Sequence, residues 1–184
     1  GMELRNPSLP ERSTEESFAM IAGAGFDGVC MDPSVAELPE CREHAGLFSE
    51  HGLGSMVNAF PYSAHDMEPL LDFAVEMNAC IVNVISGVMP IKPQDAVSDV
   101  RRWIGEASDR NMHMLFETHR DGLLNDLYFT LQLMDLVPEM RLCADLSHFV
   151  VDRELRSPVT ERDQEYITAV LNRSDCFQGR IANR

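Results

Sequence analysis

Positive charge is scarce in this sequence: 15 Lys and Arg stand against 30 Asp and Glu, for a net charge of -15. A protein that grips nucleic acid meets the phosphates with a basic stripe. The pairs Arg101-Arg102 and Arg153/Arg156 are small and lie among acids, so no nucleic-acid partner is expected. There is no run of about eighteen apolar residues, so no membrane span is expected. No basic-then-apolar leader opens the chain, and Gly1 ahead of Met2 reads as a leftover residue before a start methionine, so a cytoplasmic location is expected. There is no CxxC among the five cysteines, and most of them fall in apolar strand-like runs; free, buried thiols in a reducing compartment are the expectation. No GxGxxG follows the first strand-like run, which removes the main support for a dinucleotide-binding sheet.

What the sequence does have is an alternation of short apolar runs and longer amphipathic segments. Helices are predicted over Ser13–Ala24, Pro39–His51, Asp66–Asn78, Pro93–Arg110, Leu124–Val137 and Thr160–Asn172. Ser13 with Glu16 makes a capping box at the first, and Pro93 suits the first turn of the fourth. Strands are predicted over Gly28–Met31, Leu53–Phe60, Ala79–Ile85, Met112–Thr118, Met140–Leu146 and Asp175–Ala182. Alternation at this spacing implies parallel βαβ units in an α/β protein, and the 184 residues read as one domain, 1–184.

Polar residues cluster at the strand exits: Asp32, Asn58, Asn83, Glu117 with His119, Asp145 with His148, and Gln178 with Arg180. Side chains alternate along a strand, so Leu115, Glu117 and His119 share one face while Met114 and Phe116 point towards helices. A TIM (β/α) barrel collects its active site from the C-terminal ends of many strands at once, which is this distribution. Carboxylates with a histidine nearby suit a divalent ion such as Mg²⁺, Mn²⁺ or Zn²⁺. Such an ion can clamp two oxygens of a hydroxy-carbonyl while a carboxylate or imidazole moves a proton. A lone strand-end Glu or a lone D-x-x-H matches many sequences by chance; here they stand at successive strand exits. His44, His51 and His65 are expected to face solvent, His113 to be structural, and the eleven methionines to fill core.

Four segments resemble the sugar phosphate isomerase/epimerase family, the xylose isomerase-like TIM barrels. They are ESFAMIAGAGFDGV (Glu16–Val29), VNVISG (Val82–Gly87), LFETHRDGLLND (Leu115–Asp126) and LCADLSHF (Leu142–Phe149). The resemblance implies that Glu117 and Asp145 bind metal, that His148 contacts substrate or metal, and that His119 lies beside the site. Where such proteins place a histidine ligand, CFQGRIANR offers Gln178, a weaker neutral oxygen donor, followed by Arg180. The expected site therefore has Glu117, His148 and His119 as catalytic groups. Asn58, Asn83 and Arg180 bind substrate, and Glu117, Asp145 and Gln178 hold a weakly bound divalent metal.

A β/α barrel usually takes about 250 residues. This one is expected to be incomplete, with a minimal first strand at Glu3–Asn6 and no eighth strand, and to pair with a second copy of itself across its open edges. The expected function is a metal-dependent isomerase or epimerase acting on a small sugar or sugar acid through an enediolate-type proton transfer. The alternative is a catalytically silent or fragmentary barrel kept for binding or assembly. An endonuclease IV-like phosphodiesterase is a poor match, because further histidines and a basic face are missing.

Overall fold

The computed structural model describes residues 12–179. The Glu3–Asn6 segment, Arg180 and the end of the last expected strand lie outside the described residues. Six strands form one sheet in the order β1-β2-β3-β4-β5-β6, each parallel to the next. They are β1 (Gly28–Met31), β2 (Gly54–Ala59), β3 (Val82–Val84), β4 (Met114–Glu117), β5 (Leu142–Ala144) and β6 (Ser174–Phe177). The order never reverses, which rules out a doubly wound sheet. The sheet curls as an incomplete barrel with helices between its strands.

The helices follow from local signals. Helix α1 (Thr14–Gly23) starts at Ser13, whose hydroxyl accepts from the Glu16 N–H at 3.2 Å while the Glu16 carboxylate accepts from the Ser13 N–H at 3.0 Å. The segment read as one helix over 39–51 is broken in two: α2 (Leu38–Glu43) and α3 (Ala45–His51), preceded by a 3₁₀ turn at Val35–Glu37. The break is at His44, whose N–H bonds back only three residues, to Cys41. Gly52, at φ +65°, then ends α3 in the left-handed region where glycine carries no penalty. Next come α4 (Met67–Glu76), α5 (Pro93–Asp109), α6 (Leu127–Leu136), α7 (Leu146–Asp152) and α8 (Glu161–Asn172). Asp126 and Thr160 cap α6 and α8 through their side chains.

Period-two alternation separates the two faces of the sheet. Val57, Ala59, Val82, Val84, Met114, Phe116 and Leu142 join the core packed with Leu70, Phe73, Trp103, Leu127 and Leu133 of the helices. The opposite phase carries Asn58, Asn83, Leu115, Glu117 and Cys143, all buried but outside that core. The helix side is thus a continuous apolar layer and the concave side a polar one. The first two strands approach closely: a Cβ on Gly28 would stand 2.7 Å from the Gly54 carbonyl oxygen.

Several strands are shorter than expected. Ala79 and Cys80 precede β3: the Ala79 N–H bonds back to the Ala74 carbonyl of α4, and the Cys80 N–H to the Ser55 carbonyl of β2. The chain leaves β5 at Ala144 and enters α7 at Leu146, so the expected strand Met140–Leu146 ends early and is followed by a helix that the sequence pattern did not predict. All five cysteines are free, yet only Cys143 is buried; Cys30 and Cys80 are exposed and Cys41 and Cys176 half-buried. The expected burial fails for Cys30 because β1 lies at the end of the sheet among the described residues, and for Cys80 because it sits in the bend before β3. His65 and His113 are exposed, His113 meeting Asp175 at 3.2 Å, whereas His44 and His51 are half-buried. No helix among the described residues is long and apolar enough to cross a membrane.

Candidate metal centre

The polar groups at the C-terminal ends of β1 to β6 meet around Glu117. This residue closes β4 on the concave phase and is 5% exposed. Its carboxylate accepts from the Asn83 amide and, at 3.4 Å, from the Gln178 amide. Asn83 also donates to the Asn58 carbonyl oxygen at 2.8 Å, and Asn58 donates to the Asp32 carboxylate at 2.7 Å. The sheet register explains this: Asn58 and Asn83 are direct partners across β2 and β3. Burial pushes the Glu117 carboxyl above its ordinary range, and nearby Asp145 adds to that push; the Asn83 bond, His119 and Gln178 act the other way.

Two imidazoles stand beside this carboxylate. His119 lies just beyond β4, and its Nδ1 is 2.5 Å from the Arg120 carbonyl oxygen. A carbonyl only accepts, so Nδ1 is the donor in this contact, and in the neutral ring Nε2 is then the nitrogen with a lone pair for a ligand. His148 sits in the first turn of α7, 5% exposed, with its ring centroid 4.3 Å from that of His119. The D-x-x-H spacing is read by the helix start. Asp145 is the N-cap, accepting from the Ser147 N–H at 3.0 Å, and one turn brings His148 Nε2 to 3.4 Å from Asp145 Oδ2.

Thr118 holds the two strand ends together, a role the sequence reading missed. Its hydroxyl accepts from the Asp145 N–H at 2.9 Å and donates to the Asp145 carbonyl at 3.0 Å. The signal was present as a hydroxyl between Glu117 and His119, but a threonine on the alternate phase announces no chemistry without the neighbouring strand.

Glu117, His119 and His148 each offer a ligand atom, and the three atoms lie within 4.8 Å of one another. A carboxylate with two imidazoles suits a borderline divalent ion. Glu117 is also buried without an Arg or Lys ion pair among the described residues, a charge that a cation would offset. The donor set therefore fits a divalent metal. Asp145 stands outside that cluster of three and faces His148; Gln178 is beside Glu117. Asn58 and Asn83 are at the site, linked to it by hydrogen bonds.

No protein-family model matches the sequence, and no curated protein matches it. Solved structures do match the fold. One is the probable 3-DHS dehydratase involved in petrobactin synthesis from Bacillus anthracis, at TM-score 0.64 and 16% identity, over 91% of this chain and 68% of that one. Another is the D-allulose 3-epimerase from Methylomonas sp. in complex with D-allulose, at TM-score 0.66 and 13% identity, over 89% of this chain and 64% of that one. A third is a xylose isomerase-like TIM-barrel protein from Mycobacterium smegmatis in complex with magnesium, at TM-score 0.63 and 16% identity, over 89% and 65%. The fold is that of the xylose isomerase-like TIM barrels. The chain spans about two thirds of the length of these structures. In such a barrel the C-terminal strand ends form the site face, and Glu117, His119 and His148 stand there.

Gln178 presents its amide nitrogen to Glu117, the arrangement of a supporting donor. A Gln178→His change would bring a third imidazole to the cluster. It is expected to raise Zn²⁺ affinity about tenfold or more, since imidazole is the better zinc ligand. Competition with a chromogenic chelator measures this; unchanged affinity would place residue 178 outside the coordination sphere.

Proposed function

We propose that this protein binds a divalent metal at Glu117, His119 and His148 and moves a proton next to the carbonyl of a small polyhydroxylated substrate, as an isomerase or epimerase does. The observation that carries the reading is the convergence of those three ligand atoms at the strand ends of a xylose isomerase-like barrel. When bound, the ion would supply positive charge to adjacent hydroxyl and carbonyl oxygens of the substrate. Asp145 contributes from beside His148, as a further ligand or as the group that orients its ring.

The chain's own groups suit the remaining tasks. Glu117, with its carboxyl pushed up by burial, and the imidazoles of His119 and His148 are groups able to take and return a proton. One of them takes the proton from the carbon beside the carbonyl. Its return to the same carbon from the opposite face gives an epimer; its delivery to the neighbouring carbon gives an isomer. Asn58 and Asn83 line the concave face as neutral hydrogen-bonding groups suited to hydroxyls, and we assign Arg180 to the same task from the sequence. The substrate class, a sugar or sugar acid, rests on the likeness to structures such as the D-allulose 3-epimerase.

The test needs no knowledge of the natural substrate. Protein loaded with Mn²⁺, Mg²⁺ or Zn²⁺ is incubated in D₂O with a panel of ketoses and sugar acids, and carbon-bound deuterium is followed by NMR. Metal-dependent exchange beside the carbonyl, lost in Glu117→Gln, is the expected result. Metal binding without exchange on any of the panel would favour a barrel retained for binding, and absence of metal binding would remove the reading.

A further inference from the structure

Asp32 follows β1 directly on the exposed rim of the site, and the hydrogen bonds that start from it run in one direction. A carboxylate only accepts. Asp32 Oδ1 therefore takes the N–H of Asn58 Nδ2 at 2.7 Å, with the Cys30 thiol at 3.8 Å as its other neighbour. That orientation turns Asn58 Oδ1 towards Asn83, whose Nδ2 donates to it at 2.8 Å. The second N–H of the same Nδ2 goes to Glu117 Oε2. Both N–H bonds of Asn83 are thereby used, and its Oδ1, in a fully buried residue, has no partner.

A flipped Asn83 would aim its carbonyl oxygen at two acceptors, Asn58 Oδ1 and Glu117 Oε2. A flipped Asn58 would aim its carbonyl oxygen at the Asp32 carboxylate. Leaving a buried acceptor unpaired costs about 1–3 kcal/mol, so the arrangement persists only if the ends of the chain impose it. Both ends are carboxylates, and the two amides between them have one orientation compatible with both.

We propose that Asp32 is a positioning residue for the metal centre: through Asn58 and Asn83 it fixes the polarity of a side-chain relay that holds Glu117 as an acceptor and keeps Asn83 Oδ1 ready for a ligand donor. The proposal rests on the reading of Glu117 as a metal ligand. Asp32 touches neither the Glu117 carboxylate nor the two histidines, and acts at a distance of two side chains.

Two readouts separate this from a structural role. In ¹⁵N-labelled metal-free protein, the side-chain NH₂ signals of Asn58 and Asn83 are identified by their loss in Asn58→Ala and Asn83→Ala. Asp32→Ala is expected to shift both sets and speed their exchange with water, whereas Asp32→Asn, which keeps an acceptor oxygen, restores them. Calorimetric titration with Mn²⁺ is expected to show about tenfold weaker binding in Asp32→Ala, the lower end of what a ligand's supporting partner contributes. The melt should move little, because residue 32 is exposed. Unmoved Asn83 signals in Asp32→Ala overturn the relay. So does unchanged Mn²⁺ affinity in a protein whose Glu117→Gln variant has lost binding, and the metal centre then survives without it. If the unaltered protein takes up no Mn²⁺, the metal reading falls alone and the amide signals still decide the relay.

Discussion

Glu117→Gln is expected to lower divalent-metal affinity by at least about 100-fold while making the metal-free protein more stable near neutral pH. The first effect follows from replacing the one carboxylate of the ligand cluster with a neutral amide, and it should reach the upper end of what even a supporting residue contributes. The second follows from burial. Glu117 is 5% exposed, and desolvation raises its carboxyl above the ordinary value of 4.5. A group with a raised folded-state pKa favours folding fully below its unfolded value, and that support is lost as pH rises through the folded value. As pH rises through the folded value, the native state comes to carry a buried charge as a penalty. Glutamine removes the charge, can still accept from Asn83, and can donate to Gln178 after an amide turn of that residue. A rise in Tm of about 2–4 °C at pH 7 is expected, the shift that about 1 kcal/mol produces in a domain of this size. The gain should shrink as pH falls to and below the ordinary value of 4.5, where the carboxyl takes up its proton in both states. Calorimetry across pH 4–8 measures it; a lower Tm at pH 7 would mean that the carboxylate is held by stronger partners than those seen here.

Trp103→Ala is expected to cost about 3–5 kcal/mol, a large part of the about 5–15 kcal/mol that a domain of this kind possesses. Trp103 is fully buried on α5, stacks on Phe116 of β4 with centroids 6.5 Å apart, and donates its indole N–H to the Ala64 carbonyl at 3.1 Å. Phe116 adjoins Glu117, so the packing behind the sheet also fixes the strand that carries the candidate ligand. It is the only tryptophan in the chain, so unfolding of the variant must be followed by circular dichroism rather than indole fluorescence. Trp103→Phe keeps most of the apolar contact and should lose clearly less. A loss below about 1 kcal/mol in the alanine variant would show that the layer between α5 and β4 collapses onto the vacated space.

Much of the architecture was legible in the linear pattern. The six βα alternations were readable because each signal is local: a capping box at Ser13, a proline at the start of α5, apolar runs broken by glycine. Parallel pairing in sequence order followed from the need for a crossover helix between parallel strands. The division of β4 into Glu117 and Leu115 on one face and Phe116 on the other needed only the two-residue period. The break at His44 was not readable, because proline, helix formers and a closing glycine give the same pattern for one helix or two. The turn into α7 was not readable either. Met140–Leu146 is apolar apart from Arg141 and Asp145, and periodicity alone cannot show where a buried strand yields to a buried helix.

At the site, residue types and strand-exit positions came from the sequence, and the partnerships came from the curl of the sheet. Glu117, His119, Asp145 and His148 could be named because ionisable groups at the ends of apolar strands are costly unless used. No linear pattern could say that His119 would join Glu117 and His148 within 4.8 Å while Asp145 capped its own helix and faced His148. That choice depends on the angle between β4 and β5 and on a Thr118 hydroxyl bridging them. Nor could it say that Asp32, just past the end of β1, would connect to Glu117 through two amides; the connection exists because the parallel register sets Asn58 beside Asn83. Local propensity and hydrophobic period act along the chain and are written in it. Hydrogen-bond polarity and ligand convergence act across strands, and exist only once the tertiary structure has brought the strand ends together.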